Sequence, residues 1–501
     1  PGFTFMDSPG NDLESVAGQV ATGCTMIFFT TGNGSITNFP FVPTLKFVTT
    51  SARYQLLSHE MDVDAGRYLT GTPMAELTAE VFDLTVRTAA GEPSAGEDAG
   101  HSQVSIWRDW KQTYAREGIA VSLDGRSVPS LADLPEDDRD AELDGLPLET
   151  PAANVAPAGL PTSWTALDAD GRLGSEQLVL LLPTSLCSGQ IALRLAEEAQ
   201  QAGWHGSAAS RVVALPHTEG CGVSGGAAEE TYARTMVGYL AHRNVRLALL
   251  LEHGCEKTHN DYFRSRLVEA GLDPGRFGWA SIQRDGGIEA VSGRVRHWFE
   301  QATAPLQQPR EEPGSLADLA VGLEARGRLD RASAEALALL GGWVVSAGGT
   351  AMLSSRGALL ADEAFRRVAF GSSDPDIGPT LAHGQRPVAP GWHVMRMPTT
   401  DWMETATGMG AGGAQLLLAH VAGGTLSAQR FVPVVQVSGD PDTVERFGSD
   451  LDAVTRGDAD EQARTMLGTL LAVASREQAS RAQEAGNVGF QITRGLLGTS
   501  M

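Results

Sequence analysis

The run QLVLLLPTSLCSGQIALRLAEEAQQ, residues 177–201, joins a short apolar segment, a small polar turn with a cysteine, and an amphipathic repeat. Leu178 to Leu182, closed by Pro183, is too short for a helix and fits a strand buried on both faces. The apolar residues from Ile191 onward recur at helical spacing and predict a helix over about 189–201. The pattern then repeats. RVVALPH (211–217) predicts a second strand, with a helix at 228–243, and VRLALLLEH (245–253) a third, with a helix at 261–270. RFGWASIQ (276–283) is a weaker fourth strand. Continuous apolar strands alternating with helices predict an α/β domain over residues 173–305, with a doubly wound, mostly parallel sheet.

Two further blocks flank this domain. Residues 1–108 contain the apolar run CTMIFF, the turn TTGNGS and a helix near 75–87. Residues 310–501 are expected to be helical at first and strand-like from Trp392. Between the first block and the middle domain, residues 109–172 are rich in Pro, Asp, Glu and Ala. They are expected to be a linker that orders only by lying on a neighbour.

The last block repeats the first. PGFTFMDSP (1–9) aligns with PGWHVMRMP (390–398), and AGQVATGCTMIFFTTGNGS (17–35) with TGMGAGGAQLLLAHVAGGT (407–425). FVP (41–43) matches FVP (431–433), DVDAG (62–66) matches DLDAV (450–454), and AGHSQVSIWR (99–108) matches AGNVGFQITR (485–494). Matches in one order over this length predict two copies of a domain, both α/β, rather than a solenoid. Polar positions of the first copy, Asp7, Thr30, Thr31, Asn33, Ser35 and Lys46, become Arg396, His420, Val421, Gly423, Thr425 and Gln436. Packing residues persist while the polar turn changes, as expected if the second copy keeps its fold and alters its site.

Composition narrows the function. The formal charge is −23, from 38 basic and 61 acidic residues. Nucleic-acid binders and proteins that dock on anionic membranes need basic stripes, so neither partner is expected. No apolar run is long enough to span a membrane. Four cysteines are too sparse for a disulfide framework and point to a reducing, cytoplasmic setting. The chain opens at Pro1 without a methionine and is expected to be a fragment or a processed piece.

Cys187, Cys221 and Cys255 each follow an apolar strand and precede a helix. With parallel strands all three reach the carboxyl edge of the sheet, where α/β folds place ligands. The same loops carry His217, Glu219, His253, Glu256, Lys257 and His259, a set suited to a soft or borderline divalent metal such as Fe²⁺. The alternative is three small buried residues at helix starts. In the first block, main-chain N–H groups of TTGNGS suit a carboxylate or phosphate, and Lys46 suits an acidic substrate. Asp12 and Glu14 are expected to serve the start of a helix.

On these pieces the chain resembles the altronate/galactarate dehydratases, a family of sugar-acid dehydratases. MDSPGNDLESVAGQVATGCTMIFFTTGNGS, VPTLKFVTTS and MDVDAG look like the family's carboxyl-terminal domain. PTSLCSG, ALPHTEGCG and EHGCEK look like the cysteine-bearing loops of its middle domain. The resemblance implies a metal-dependent lyase that removes the proton α to a carboxylate, expels the β-hydroxyl and gives a 2-keto-3-deoxy acid. It implies a catalytic group drawn from His217, Glu256, Lys46 and Asp7, and a substrate loop of Thr30, Thr31, Gly32, Gly34 and Ser35. The metal ligands would be Cys187, Cys221 and Cys255, with Fe²⁺, or else Mn²⁺ or Mg²⁺. The family order of domains is departed from: a carboxyl-terminal-type unit comes first, and the middle domain precedes a degenerate second copy. A tandem fusion is the simplest account, with a missing amino-terminal unit as a partner and a homo-oligomer as the expected assembly. Two other readings stand beside the lyase: a silent half that scaffolds or binds an acidic ligand, and a weaker one, a cysteine hydrolase using Cys221 and His217.

Overall fold

The computed structural model describes residues 2–8, 10–106, 143–148, 155–169, 171–219, 226–375 and 377–492. The middle domain is a four-stranded parallel sheet in the order Arg211–Ala214, Leu178–Pro183, Val245–Glu252, Gly278–Ser281. Helices Gly189–Gln201, Gly226–Leu240 and Asn260–Glu269 fall where the sequence places them. Strand Leu178–Pro183 shows why the run is apolar throughout. Leu178, Leu180 and Leu182 enter one core with Tyr232, Met236 and Phe263, while Val179 and Leu181 enter another with Ile191, Leu195 and Phe299. Alternate side chains leave a strand on opposite faces, so a strand covered twice must be apolar at every position.

Each core extends into a flanking unit. Ile36, Val48, Leu57 and Met61 of the first unit join the core of Val179 and Leu181. Met409, Phe431 and Val432 of the last unit join that of Leu180 and Tyr232. Glu60 fixes the first junction by accepting a 2.6 Å bond from Ile288 N–H at the start of helix Gly287–Thr303. Gly287 has φ +93°, and a Cβ there would lie 2.3 Å from Glu60 Oε2. Gly287→Ala is therefore expected to cost about 2–3 kcal/mol, through a left-handed backbone and a displaced carboxylate. Urea unfolding checks this; an unchanged midpoint would mean the junction yields freely.

The flanking units share one sequence of elements. Helix Asp12–Ala21 is followed by parallel strands Ile27–Thr31, Thr44–Val48 and Val63–Asp64, then helices Met74–Ala89 and Ala95–Asp98. In the last unit the order is Trp402–Ala411, Leu416–Val421, Val434–Ser438, Ala453–Val454, Ala459–Ala474 and Arg481–Glu484. Ile27 faces Thr44 as Leu417 faces Val434, and Val48 faces Asp64 as Ser438 faces Val454, so Asp62 corresponds to Asp452 and the sequence match of DVDAG with DLDAV is corrected by two residues. The last unit carries a further layer. Strands Ala320–Arg326, Thr350–Ser354 and Gly391–Met395 extend its sheet to six parallel strands, and helix Arg331–Ser346 packs on helix Ala459–Ala474.

Two expectations are corrected. Residues 310–501 do not begin helical: Arg310–Gly314 and Ala320–Arg326 are strands. Ala320, Leu323, Glu324, Ala325 and Arg326 favour helix, but burial between two parallel neighbours overrides it. The end of the linker is also ordered. Trp164–Ala169 is a strand antiparallel to Arg310–Gly314, with Trp164 buried. Residues 143–148 lie on a neighbour, with Leu148 N–H bonded to Trp392 O at 2.8 Å. Residues 107–142 lie outside the described residues. Among the described residues, no helix is long and apolar enough to cross a membrane.

Candidate active site

The loop after strand Val245–Glu252 holds the tightest polar group. Gly254 takes φ +121°, and a Cβ there would sit 2.9 Å from Gln283 Cβ, so only glycine lets the chain turn this sharply. The turn closes on Glu256. Its Oε1 accepts from Thr184 Oγ1 and His253 N–H, both at 2.8 Å, and its Oε2 accepts from Gly254 N–H at 2.6 Å. Burial alone would raise this pKa, but His253 and the main-chain donors outweigh it, and the carboxyl is held below its ordinary value. His253 Nδ1 lies 3.1 Å from Cys255 Sγ. The ligand atoms of His253, Cys255 and Glu256 lie within 4.8 Å of one another. One nitrogen, one sulfur and one carboxylate oxygen fit a borderline divalent cation.

The first unit comes to this loop. Ile36 N–H, at the end of TTGNGS, points to His253 Nε2 at 3.5 Å. Thr31 Oγ1 accepts from Gly34 N–H and Ser35 N–H, both at 3.0 Å, which shapes the turn. Ser35 Oγ donates to Asp12 Oδ2 at 2.8 Å. Asn11, not Asp12, caps helix Asp12–Ala21 through Leu13 N–H and Glu14 N–H. Asp12 is thereby left to the turn, and its charge reaches His253. Burial lowers the His253 pKa, opposed by Glu256, Asp12 and Glu252. Beneath lie Lys46 and His101, both fully buried. Lys46 Nζ is 3.7 Å from Asp62 Oδ2, and burial lowers its pKa against the pull of Asp62 and Glu60. Burial first, then Lys46 and His253, push His101 down to about 3, opposed by a main-chain hydrogen bond with Ile36.

The residues expected at the site are thus partly assembled. The turn of Thr31, Gly34 and Ser35 reaches the loop of Cys255 and Glu256 through Ile36 N–H and His253. Thr30 is exposed on the other face of its strand, Gly32 is exposed at the turn, and Lys46 is sealed below rather than open to a substrate. Asp7 is exposed, and no described hydrogen bond or ion pair ties it to the loop. Cys187 reaches the same sheet edge but packs with Leu13 and Leu186, outside the donor group. Cys221 lies outside the described residues. His217 is occupied by main chain: Nε2 lies 2.8 Å from Pro183 O, and Nδ1 accepts from Glu219 N–H at 3.1 Å. Burial pushes its pKa down to about 4. Sequence reasoning gave Asp12 only a helix-start role and did not foresee His101.

Parts of the chain match domains of known proteins. The family D-galactarate/altronate dehydratase, C-terminal, matches residues 1–112 and 372–496, and D-galactarate dehydratase/altronate hydrolase, second domain, matches residues 167–304. The chain belongs to the altronate/galactarate dehydratase family. Altronate dehydratase of Escherichia coli is 32% identical over 108 residues, which is 22% of this chain and 22% of that protein. Altronate dehydratase of Bacillus subtilis is 40% identical over 108 residues, 21% of this chain and 22% of that protein. The (2R)-sulfolactate sulfo-lyase subunit beta of Chromohalobacter salexigens is 29% identical over 109 residues, 22% of this chain and 28% of that subunit. The matches thus span between about a fifth and slightly more than a quarter of those relatives.

Proposed function

We propose that the chain is a sugar-acid dehydratase. It would eliminate water from an aldonate or aldarate, of the altronate or galactarate kind, and release a 2-keto-3-deoxy acid. The observation that carries this reading is the meeting of the TTGNGS turn with the His253–Cys255–Glu256 loop, which unites an anion-accepting turn with a metal-suited donor set. When bound, a divalent cation, Fe²⁺ or else Mn²⁺ or Mg²⁺, supplies positive charge beside the carboxylate whose neighbouring carbon loses its proton. The exposed turn residues Gly32 and Asn33 receive the substrate. Asp12 is assigned the proton, because His217 and Glu256 spend their acceptors on fixed donors. Ser35 holds the Asp12 carboxylate in place.

The last unit is read as a tandem copy without this activity. Its turn has lost the hydroxyls of Thr30 and Thr31, keeping one at Thr425, and it packs against the opposite core of the middle domain. A cytoplasmic homo-oligomer, with a missing amino-terminal family unit as partner, belongs to the same proposal.

The test is an anaerobic assay of the metal-loaded chain with a panel of aldonates and aldarates, following binding by calorimetry and formation of the keto-deoxy acid. One acid is expected to bind and turn over. Asp12→Asn is expected to lower kcat about a hundredfold while metal binding persists. Failure of every acid to bind overturns the reading. An Asp12→Asn variant with parental kcat removes Asp12 from its role.

A further inference from the structure

The junction of the middle domain with the last unit carries a second group of charges, at the edge of the sheets away from the proposed site. Arg243 lies in the turn between helix Gly226–Leu240 and strand Val245–Glu252. Its Nη1 donates to Asp318 O at 2.8 Å, just ahead of strand Ala320–Arg326. Arg386 comes from the loop before strand Gly391–Met395, and its Nη1 donates to Ala241 O at 2.8 Å. Both residues line a cavity of about 310 Å³ together with Ala320 and Thr350. Ala320 and Thr350 open their strands, so the cavity sits at the amino edge of the six-stranded sheet. The length of strand Val245–Glu252, roughly 25 Å, separates it from His253.

These two cations lack a counter-charge. Among the described residues, no carboxylate lies within ion-pair distance of either guanidinium. The acid that acts on Arg243 is Asp318, and its Oδ2 is taken by Ser315 N–H at 2.9 Å and Ser315 Oγ at 2.8 Å. Arg386 is exposed in the cavity, yet burial first, then Arg243 and Arg172, lower its pKa, and no acid opposes them. The same field reaches His242, which burial first and then Arg386 push down to about 3. Other arginines at the seams of this protein have their acids: Arg211 meets Glu176, and Arg266 meets Glu230, both at 2.6 Å. Like charges gathered where water is partly excluded repel one another. A cavity lined by such cations suits an anion from outside.

Two neighbouring cations suit one compact anion of about two charges better than a single carboxylate. A phosphate monoester carries about −1.5 to −2 near neutral pH, and the planar fork of a guanidinium meets its oxygens in pairs. Arg386 also lines an adjoining cavity of about 400 Å³, whose walls include Val237, Ala241 and Leu272. We propose that this junction binds a small phosphate monoester, with its phosphate between Arg243 and Arg386 and its organic part in the adjoining cavity. One arginine belongs to the middle domain and the other to the last unit, so the bound ester ties the two together. Such a site stands whether or not the chain is a dehydratase.

The test is calorimetry on the full chain with glycerol 3-phosphate, glucose 6-phosphate and inorganic phosphate. At least one ester is expected to bind, and about tenfold or more tighter than inorganic phosphate, because only an ester reaches both cavities. Arg243→Lys and Arg386→Gln are each expected to weaken that binding at least about tenfold, the first by losing the fork and the second by losing the charge. With no ester added, Arg386→Gln is expected to leave the urea midpoint unchanged or to raise it, since one of two like charges is gone. Failure of both esters to bind overturns the proposal. So does inorganic phosphate that binds as tightly as the esters, or parental affinity in either variant. A lowered midpoint in Arg386→Gln also overturns it, because the arginine then serves the fold as a strap on Ala241.

Discussion

Glu256→Ala is expected to lower the stability of the protein by about 3–5 kcal/mol, among the largest effects of any single polar substitution in it. Three donors converge on this carboxylate: the Thr184 hydroxyl and the main-chain N–H groups of His253 and Gly254. His253 and Thr184 are fully buried. Removing the acceptor orphans the buried His253 N–H and the half-buried Gly254 N–H and leaves the Thr184 hydroxyl only Leu251 O at 3.4 Å, and each orphaned buried donor costs about 1–3 kcal/mol. Hydrogen bonds to a charged acceptor stand at the upper end of that range. Glu256→Gln, which keeps one carbonyl oxygen, is expected to cost less than half as much. Urea unfolding of the metal-free chain measures both without interference from bound metal. If the alanine variant comes within about 1 kcal/mol of the parent, the loop is held by something other than this carboxylate.

Acidification is expected to destabilise the fold between about pH 6.5 and pH 4, well before most carboxylates titrate. Burial pushes His217 and His383 down to about 4, and His101 and His242 down to about 3. In the unfolded chain these groups take up a proton near 6.5. Their folded pKa values are lower, so the unfolded state binds more protons as pH falls below 6.5. Stability is complete above that pH and declines below it until the folded values are reached. Each such histidine contributes at most roughly 1.4 kcal/mol per pH unit. The geometry gives the reason. His217 Nδ1 accepts from Glu219 N–H, and His242 Nδ1 accepts from Asn244 N–H at 3.1 Å, so a proton on either nitrogen would oppose a donor. His242→Gln is expected to be less stable at pH 7.5 yet to show a flatter decline toward pH 5. A decline of parental steepness in that variant would move the acid sensitivity elsewhere.

How far the sequence carries the reader depends on how local the cause is. The middle domain is legible because its strands are apolar at every position and its helices repeat at helical spacing. Both signals sit within a few residues of one another. Ala320–Arg326 is illegible because its residues favour helix and only their buried place between Thr350–Ser354 and Leu416–Val421 makes them a strand. At the site, Ser35, Cys255 and Glu256 stand in short motifs. Asp12 is hidden by its neighbour, since either Asn11 or Asp12 suits a helix start and only the structure shows that Asn11 takes the cap. His101 carries no local signal at all: it meets Lys46 within the first unit and His253 through the packing of that unit on the middle domain.

The strand Leu178–Pro183 sends alternate side chains into two different cores. Heat or denaturant that loosens either flank therefore loosens the same six residues from which the other flank hangs. The three folded regions share a keel, and calorimetry should see them founder as one vessel rather than shed their outer planks one at a time.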